Sequence, residues 1–159
     1  MSSCSFPLVR MRRLRHHPLV RGLVRETELS LNDVVCPVFI KGREGSKNPI
    51  SAMPGYYQIP LNCLREEIEE IEELGISSVI LFGIPSYKDS CGSDSYNENG
   101  IIQEAIALIR SMKSNVLIIS DICFCEYTDH GHCGILSEIN GRMDIDNDET
   151  LSLLVKQAV

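Results

Sequence analysis

Apolar residues recur along this chain in two alternating rhythms. Continuous runs of strand length stand at 34–40, 78–84 and 116–120. Between them, apolar positions return every three or four residues. Leu61, Leu64, Ile68, Ile71 and Leu74 predict a helix that Gly75 stops, and Ile101, Ile102, Ala105, Ile106, Ile109 and Met112 predict a second. Asp148 opens a third through Leu151, Leu154, Val155 and Ala158, and the chain stops inside it. The first run contains Pro37, so it is either a strand with a bulge or an early, short strand. The second and third runs are apolar throughout, the pattern of strands covered on both faces. Segments 41–60, rich in Gly and Pro, 85–99, with Lys88, Asp89, Cys91, Gly92 and Asp94, and 123–146 read as loops.

Strand followed by helix, three times over, is the grammar of a parallel sheet with right-handed crossovers. Three units neither close a barrel nor complete a doubly wound sheet, since a full eight-unit barrel takes about 250 residues. The pattern therefore predicts an α/β fold that is one part of a larger one.

Composition changes this picture little: 159 residues, 43% of them apolar, suffice for one core. No apolar run is long enough to cross a bilayer, which predicts a soluble protein with no membrane partner. Charge is more informative. Arg10, Arg12, Arg13, Arg15, Arg21 and Arg25 fall within the first 25 residues without a single acid, while the remainder holds 9 basic against 22 acidic residues. Such a start is an arm docking on the acidic body of a neighbouring subunit, an organelle transit peptide, or a nucleic-acid arm. Stacking aromatics are missing among the arginines and the acidic body would repel phosphate, so a nucleic-acid partner is not expected. Residues 1–33 are accordingly read as a basic oligomerisation arm and 34–159 as the folded body. The run Glu66, Glu67, Glu69, Glu70, Glu72 and Glu73 has the spacing of a solvated helix face.

Seven cysteines, an odd number, do not form a disulfide framework, and a reducing cytoplasmic location fits them best. Cys4, Cys36 and Cys63 read as small buried hydrophobes. Cys123, Cys125 and Cys133 are different. They lie with His130 and His132 in Asp121-Ile-Cys-Phe-Cys-Glu-Tyr-Thr-Asp-His-Gly-His-Cys-Gly134, directly after a predicted strand, where α/β enzymes place their chemistry. Three thiolates favour zinc over magnesium and leave one coordination position open, as in a catalytic site; a structural site would take His132 or His130 as fourth ligand. The histidines also suit acid–base or ligand-orienting work. Asp121 at the strand end can hold a substrate amine, take part in proton transfer, or merely cap a loop.

This segment resembles the zinc loop of the porphobilinogen synthase (5-aminolevulinate dehydratase) family. Arg12-Arg-Leu-Arg15, Leu23-Val-Arg-Glu-Thr27, Pro37-Val-Phe-Ile40, Met53-Pro-Gly55, Leu81-Phe-Gly-Ile-Pro85 and 146–159 match the family in the same order. The resemblance implies the N-terminal part of a (β/α)8 TIM barrel, about three βα units, behind an arm that embraces a partner subunit in a homo-octamer. It implies condensation of two 5-aminolevulinate molecules to porphobilinogen with loss of two waters, in haem synthesis. It implies Zn2+ on Cys123, Cys125 and Cys133, with His132 at a neighbouring position of the metal site and Asp121 near the active site. Two barrel lysines form Schiff bases in the family. Lys41, Lys47, Lys88, Lys113 and Lys156 match neither of them, so the chain alone is expected to be inactive. Ligands of any allosteric Mg2+ would lie downstream as well. The competing expectations are a non-catalytic zinc-binding remnant that engages complete partners, and a part-barrel whose uncovered apolar edge makes it aggregate.

Overall fold

A computed structural model describes residues 5–10 and 12–159. Cys4, one of the cysteines read as a buried hydrophobe, lies outside them. The chain divides into two compact units, Met1–Ser30 and Leu31–Val159. The first contains a 3-10 turn, Arg13–Arg15, and one short helix, α1 (Pro18–Leu23). Pro18 opens α1 where its missing N–H costs nothing, and His17 Nδ1 accepts the Leu19 N–H at 3.2 Å. Leu8, Leu19 and Leu23 are largely exposed, so this unit has no core of its own among the described residues.

The second unit is built on a five-stranded sheet of β1 (Cys36–Lys41), β2 (Asn48–Pro49), β3 (Tyr57–Ile59), β4 (Ser78–Ile84) and β5 (Leu117–Ser120). Its order is β2-β3-β1-β4-β5, parallel except for the antiparallel β2–β3 pair. The three apolar runs thus form strands, and Pro37 sits inside β1. It is tolerated there because β3 pairs with β1 only at Phe39 and Ile40, leaving one side of the chain at Pro37 without a partner strand. Segment 41–60, expected as loop, carries β2 and β3, which are too short for their pattern to stand out from the surrounding glycines and prolines.

Helix α2 (Leu61–Glu73) follows the predicted stripe, with Leu64, Ile68 and Ile71 buried. Gly75, at φ 80°, ends it: the Ile76 N–H reaches the Ile71 carbonyl (3.2 Å) and the Gly75 N–H that of Glu72 (2.9 Å). This left-handed cap satisfies the last carbonyls and turns Leu74 outward, so Leu74 leaves the buried stripe. The glutamate face is not uniformly solvated. Glu67 pairs with Lys47 at 2.7 Å, and Glu72 accepts from the Ser114 hydroxyl and the Asn115 N–H.

Helix α3 (Ile101–Ser111) buries Ile101, Ile102, Ala105 and Ile109. Both helices pack on Val38 and Ile40 of β1 and Val79 and Leu81 of β4, in one core. Helices on the same face of consecutive parallel strands are the barrel arrangement; a doubly wound sheet carries them on both faces. The opposite face holds the stacked rings of Phe39 and Phe82, 5.2 Å apart, and stays half-buried among the described residues. The expectation that both faces of β4 are covered is corrected here, as is that of a buried third strand. β5 is the sheet edge, and Leu117 is 61% exposed.

Segment 123–146, expected as loop, ends in a hairpin of β6 (Leu136–Ile139) and β7 (Arg142–Ile145). Its two-residue turn, Asn140-Gly141, takes φ 54° and 77°, the left-handed pair that suits the twist of a hairpin. Helix α4 (Asn147–Ala158) is capped by Asp146 rather than opened by Asp148. The Asp146 carboxylate accepts the N–H groups of Asp148 and Glu149, both at 3.1 Å. Leu151 and Val155 of α4 are exposed.

Candidate metal centre

The run of β5 ends at Ser120, and the Asp121 N–H still bonds to the Leu81 carbonyl of β4 (3.2 Å). The loop that follows leaves the carboxyl end of β5 beside Leu81 of β4, a strand that itself runs on to Ile84. Phe124 anchors it. This ring is fully buried, and its carbonyl accepts the N–H groups of Tyr127 and Thr128, each at 2.9 Å. Tyr127 and Thr128 are buried beside it. The Thr128 hydroxyl lies within hydrogen-bond reach of the Phe124 and His132 carbonyls, at 3.1 and 2.9 Å, and so ties the two ends of the cysteine segment together.

A second loop, 85–99, braces the first. The Asp89 N–H donates to the Tyr127 carbonyl (3.3 Å), and the Asp129 N–H donates to that of Asp89 (3.1 Å). The Asp89 carboxylate meanwhile accepts the N–H groups of Cys91 (3.1 Å) and Ser93 (3.0 Å) and the Ser93 hydroxyl. Hydrogen bonding from the Ser93 hydroxyl, then from the backbone and Cys91, holds this carboxyl below the usual carboxylate range. Gly92, at φ 59°, is required twice over: any Cβ would be strained there and would meet Phe124 Cδ1 at 2.7 Å.

Asp89→Ala is expected to cost about 1–2 kcal/mol in urea denaturation, the usual effect of removing an acceptor that caps local N–H groups. The pH dependence has a definite sign. A carboxyl with a lowered folded pKa contributes stability above its unfolded value of 3.8, and loses it as pH falls through the folded value. The difference between wild type and Asp89→Ala should therefore shrink in acid.

On this frame the sulfur atoms of Cys123, Cys125 and Cys133 all lie within 4.8 Å of one another. A tetrahedral ion with metal–sulfur bonds of about 2.3 Å places its sulfurs roughly 3.8 Å apart, so the three thiols can hold a soft divalent metal after small movements. Cys125 and Cys133 approach to 2.8 Å, and all three are free thiols. The neighbouring Cys133 thiol, then burial and Cys123, push the Cys125 thiol up to about 12. Burial raises Cys123 first of all. Without a cation Cys123 and Cys125 are thus held toward their protonated forms, Cys123 by burial and Cys125 by its contact with the Cys133 thiol and by burial.

The other candidates fall around this trio. His130 has both ring nitrogens engaged: Nδ1 accepts the His132 N–H (3.1 Å), which puts the proton on Nε2 facing the Ser90 carbonyl (3.2 Å). The His132 ring is exposed and its nitrogens are outside the 4.8 Å set. Asp121 is half-buried; burial raises its pKa, and its carboxylate caps no backbone N–H among the described residues. Glu126, which the sequence reading passed over, joins Asp121 and Cys123 in a second group of ligand atoms within 4.8 Å of one another. Cys36 and Cys63 lie half-buried against the core as small hydrophobes.

The chain's relationships agree with this geometry. Residues 8–159 match the family model described as delta-aminolevulinic acid dehydratase. The enzyme of that name from Staphylococcus epidermidis is 45% identical over 150 residues, covering 94% of this chain and 46% of that protein. The Archaeoglobus fulgidus enzyme is 46% identical over 154 residues, covering 97% and 46%. Among solved structures, delta-aminolevulinic acid dehydratase (porphobilinogen synthase) from Toxoplasma gondii ME49, crystallised with its product porphobilinogen, superposes with a TM-score of 0.83. That match has 32% identity and covers 94% of this chain and 42% of the other. The chain thus spans about half the length of the curated relatives it matches. Its sequence, its partial barrel and the thiol cluster at the strand ends lead to one assignment: this chain belongs to the delta-aminolevulinic acid dehydratase family.

Proposed function

We propose that this chain is the N-terminal, metal-binding part of a zinc-dependent porphobilinogen synthase, an enzyme that condenses two 5-aminolevulinate molecules with loss of two waters. The observation that carries the reading is the gathering of Cys123, Cys125 and Cys133 at the carboxyl ends of parallel strands in a member of this family. Those thiolates would hold the ion, and zinc when bound supplies a Lewis acid toward substrate oxygen or nitrogen. Asp121, partly buried and with no backbone donor on its carboxylate among the described residues, would receive a substrate amine or a proton. His132 supports the site from outside the ligand set, its carbonyl held by Thr128. Residues 1–33 act as the basic arm through which copies assemble, on the acidic body formed by 34–159, in the cytoplasm. No helix among the described residues is long and apolar enough to cross a membrane.

Zinc uptake tests the reading. About one ion per chain is expected by equilibrium dialysis. Failure to bind zinc would remove it.

The lysines favour a second reading. A Schiff-base lysine needs a desolvated pocket to be neutral at working pH. Lys41, Lys88, Lys113 and Lys156 are exposed, and Lys47 is paired with Glu67. No borohydride-trapped adduct with 5-aminolevulinate is therefore expected on this chain by mass spectrometry, and one trapped adduct on any of the five would overturn that expectation. A chain with zinc and no Schiff base fits a non-catalytic module that engages complete subunits. Co-purification with a full-length synthase, with altered activity of the complex, distinguishes this module from the synthase part.

A further inference from the structure

The metal cluster has a neighbour that the thiol set does not use. Glu126 places a carboxylate oxygen within 4.8 Å of both the Cys123 sulfur and an Asp121 carboxylate oxygen. Its Oε2 is buried with no hydrogen-bond partner among the described residues. An ionised carboxylate only accepts hydrogen bonds, and a buried acceptor left unpaired is destabilising, more so when charged. Asp121 and Cys123 lie beside Glu126, and neither makes a hydrogen bond to Oε2. A hydrogen-bond donor or a positive charge arriving from outside the protein would satisfy it.

The two ligand groups share Cys123. An ion held by the three thiolates would therefore have the carboxylates of Asp121 and Glu126 close to its Cys123 ligand. We infer that Glu126 is a positioning residue of the metal centre: with Asp121 it accepts hydrogen bonds from the species in the open coordination position, selecting water or an amino group there and excluding anions. This rests on the thiolate metal centre proposed above. The chemistry is simple charge complementarity. A bound water or amine turns its N–H or O–H groups toward the carboxylates, whereas an anion at the same position meets two negative charges at close range.

Cobalt(II) is a suitable probe, because its absorption bands report both thiolate ligation and exchange at the open position. The protein is titrated with Co2+, and the loaded form is then titrated with azide. Glu126→Gln keeps the shape and removes the charge. The expected result is about ten-fold weaker Co2+ binding, in the range seen when outer-shell partners of metal ligands are removed. Azide should bind the variant about ten-fold more tightly than wild type, as the loss of like-charge repulsion requires. Thermal unfolding of the metal-free proteins separates this role from a merely structural one, which would shift the midpoint without changing azide affinity. Unchanged Co2+ and azide affinities in Glu126→Gln, with thiolate bands intact, would overturn the inference and leave the thiolate centre standing. Absence of thiolate bands in the wild type would instead sink the metal centre itself.

Discussion

Cys125→Ser is expected to abolish the zinc binding proposed for the thiol trio. One of three thiolates is removed, and the loss should exceed about 100-fold in affinity, the upper end of what losing an outer-shell partner costs. Cys91→Ser is the matched control. Cys91 sits in the bracing loop, bonded to Asp89, and takes no part in the 4.8 Å thiol set, so its variant should bind zinc as wild type does. Competition with a chromophoric chelator reads both. Equal affinities in the two variants would show that the trio does not hold the ion.

The same thiols dictate opposite pH trends for the metal-free and loaded protein. In the metal-free protein, Cys125 is raised from 9.0 to about 12. Between these values the unfolded chain has lost the proton that the folded one keeps, so stability is fully present below pH 9 and falls as pH rises toward 12. Zinc must displace those protons, so its affinity rises with pH and binding releases acid, measurable in buffers of different ionisation enthalpy. Cys125→Ser should flatten the first trend and weaken the second.

What the sequence disclosed, and what it hid, divides along physical lines. The strand 78–84 and the helix 61–73 were legible because their patterns are long and their stops are chemical: an apolar run in the first, a three-four stripe closed by Gly75 in the second. The hairpin β6–β7 was missed although Asn140-Gly141 is a strong local turn signal. Its strands, Leu-Ser-Glu-Ile and Arg-Met-Asp-Ile, are too short and mixed to alternate clearly. Exposure of β5 was not legible at all, since lying at an edge is a property of strand order, not of a segment. The thiol trio could be read because all its members lie within eleven residues of chain. Asp89 could not: its meeting with Tyr127 and Asp129 depends on two loops converging above adjacent strands. Glu126 stood in plain view between cysteine and tyrosine, and only its buried, unpartnered oxygen separates it from an ordinary surface glutamate.

Phe124→Ala should do the greatest damage to the fold of the site. Phe124 separates Cys123 from Cys125 in sequence and is completely buried, against a glycine that leaves it no slack. Deleting such a ring loses its transfer free energy and leaves a cavity, about 3–5 kcal/mol in all. That is a large share of the roughly 5–15 kcal/mol by which domains are stable. The thiols on either side then lose their common anchor, so zinc affinity should fall with stability even though no ligand has been touched. Phe124→Leu, which refills most of the volume, should recover the larger part of both. Gly92→Ala attacks the same contact from the other side and should mimic Phe124→Ala in direction. Saturating zinc offers a further check, because a ligand at 100 times its dissociation constant adds about 2.7 kcal/mol to the folded state. Excess metal should therefore raise Phe124→Ala above its own metal-free stability and leave Cys125→Ser where it was. Denaturation of Phe124→Ala within about 1 kcal/mol of wild type, small beside the usual cost of losing a buried ring, would mean that the loop is held by its backbone bonds to 85–99 and not by this ring.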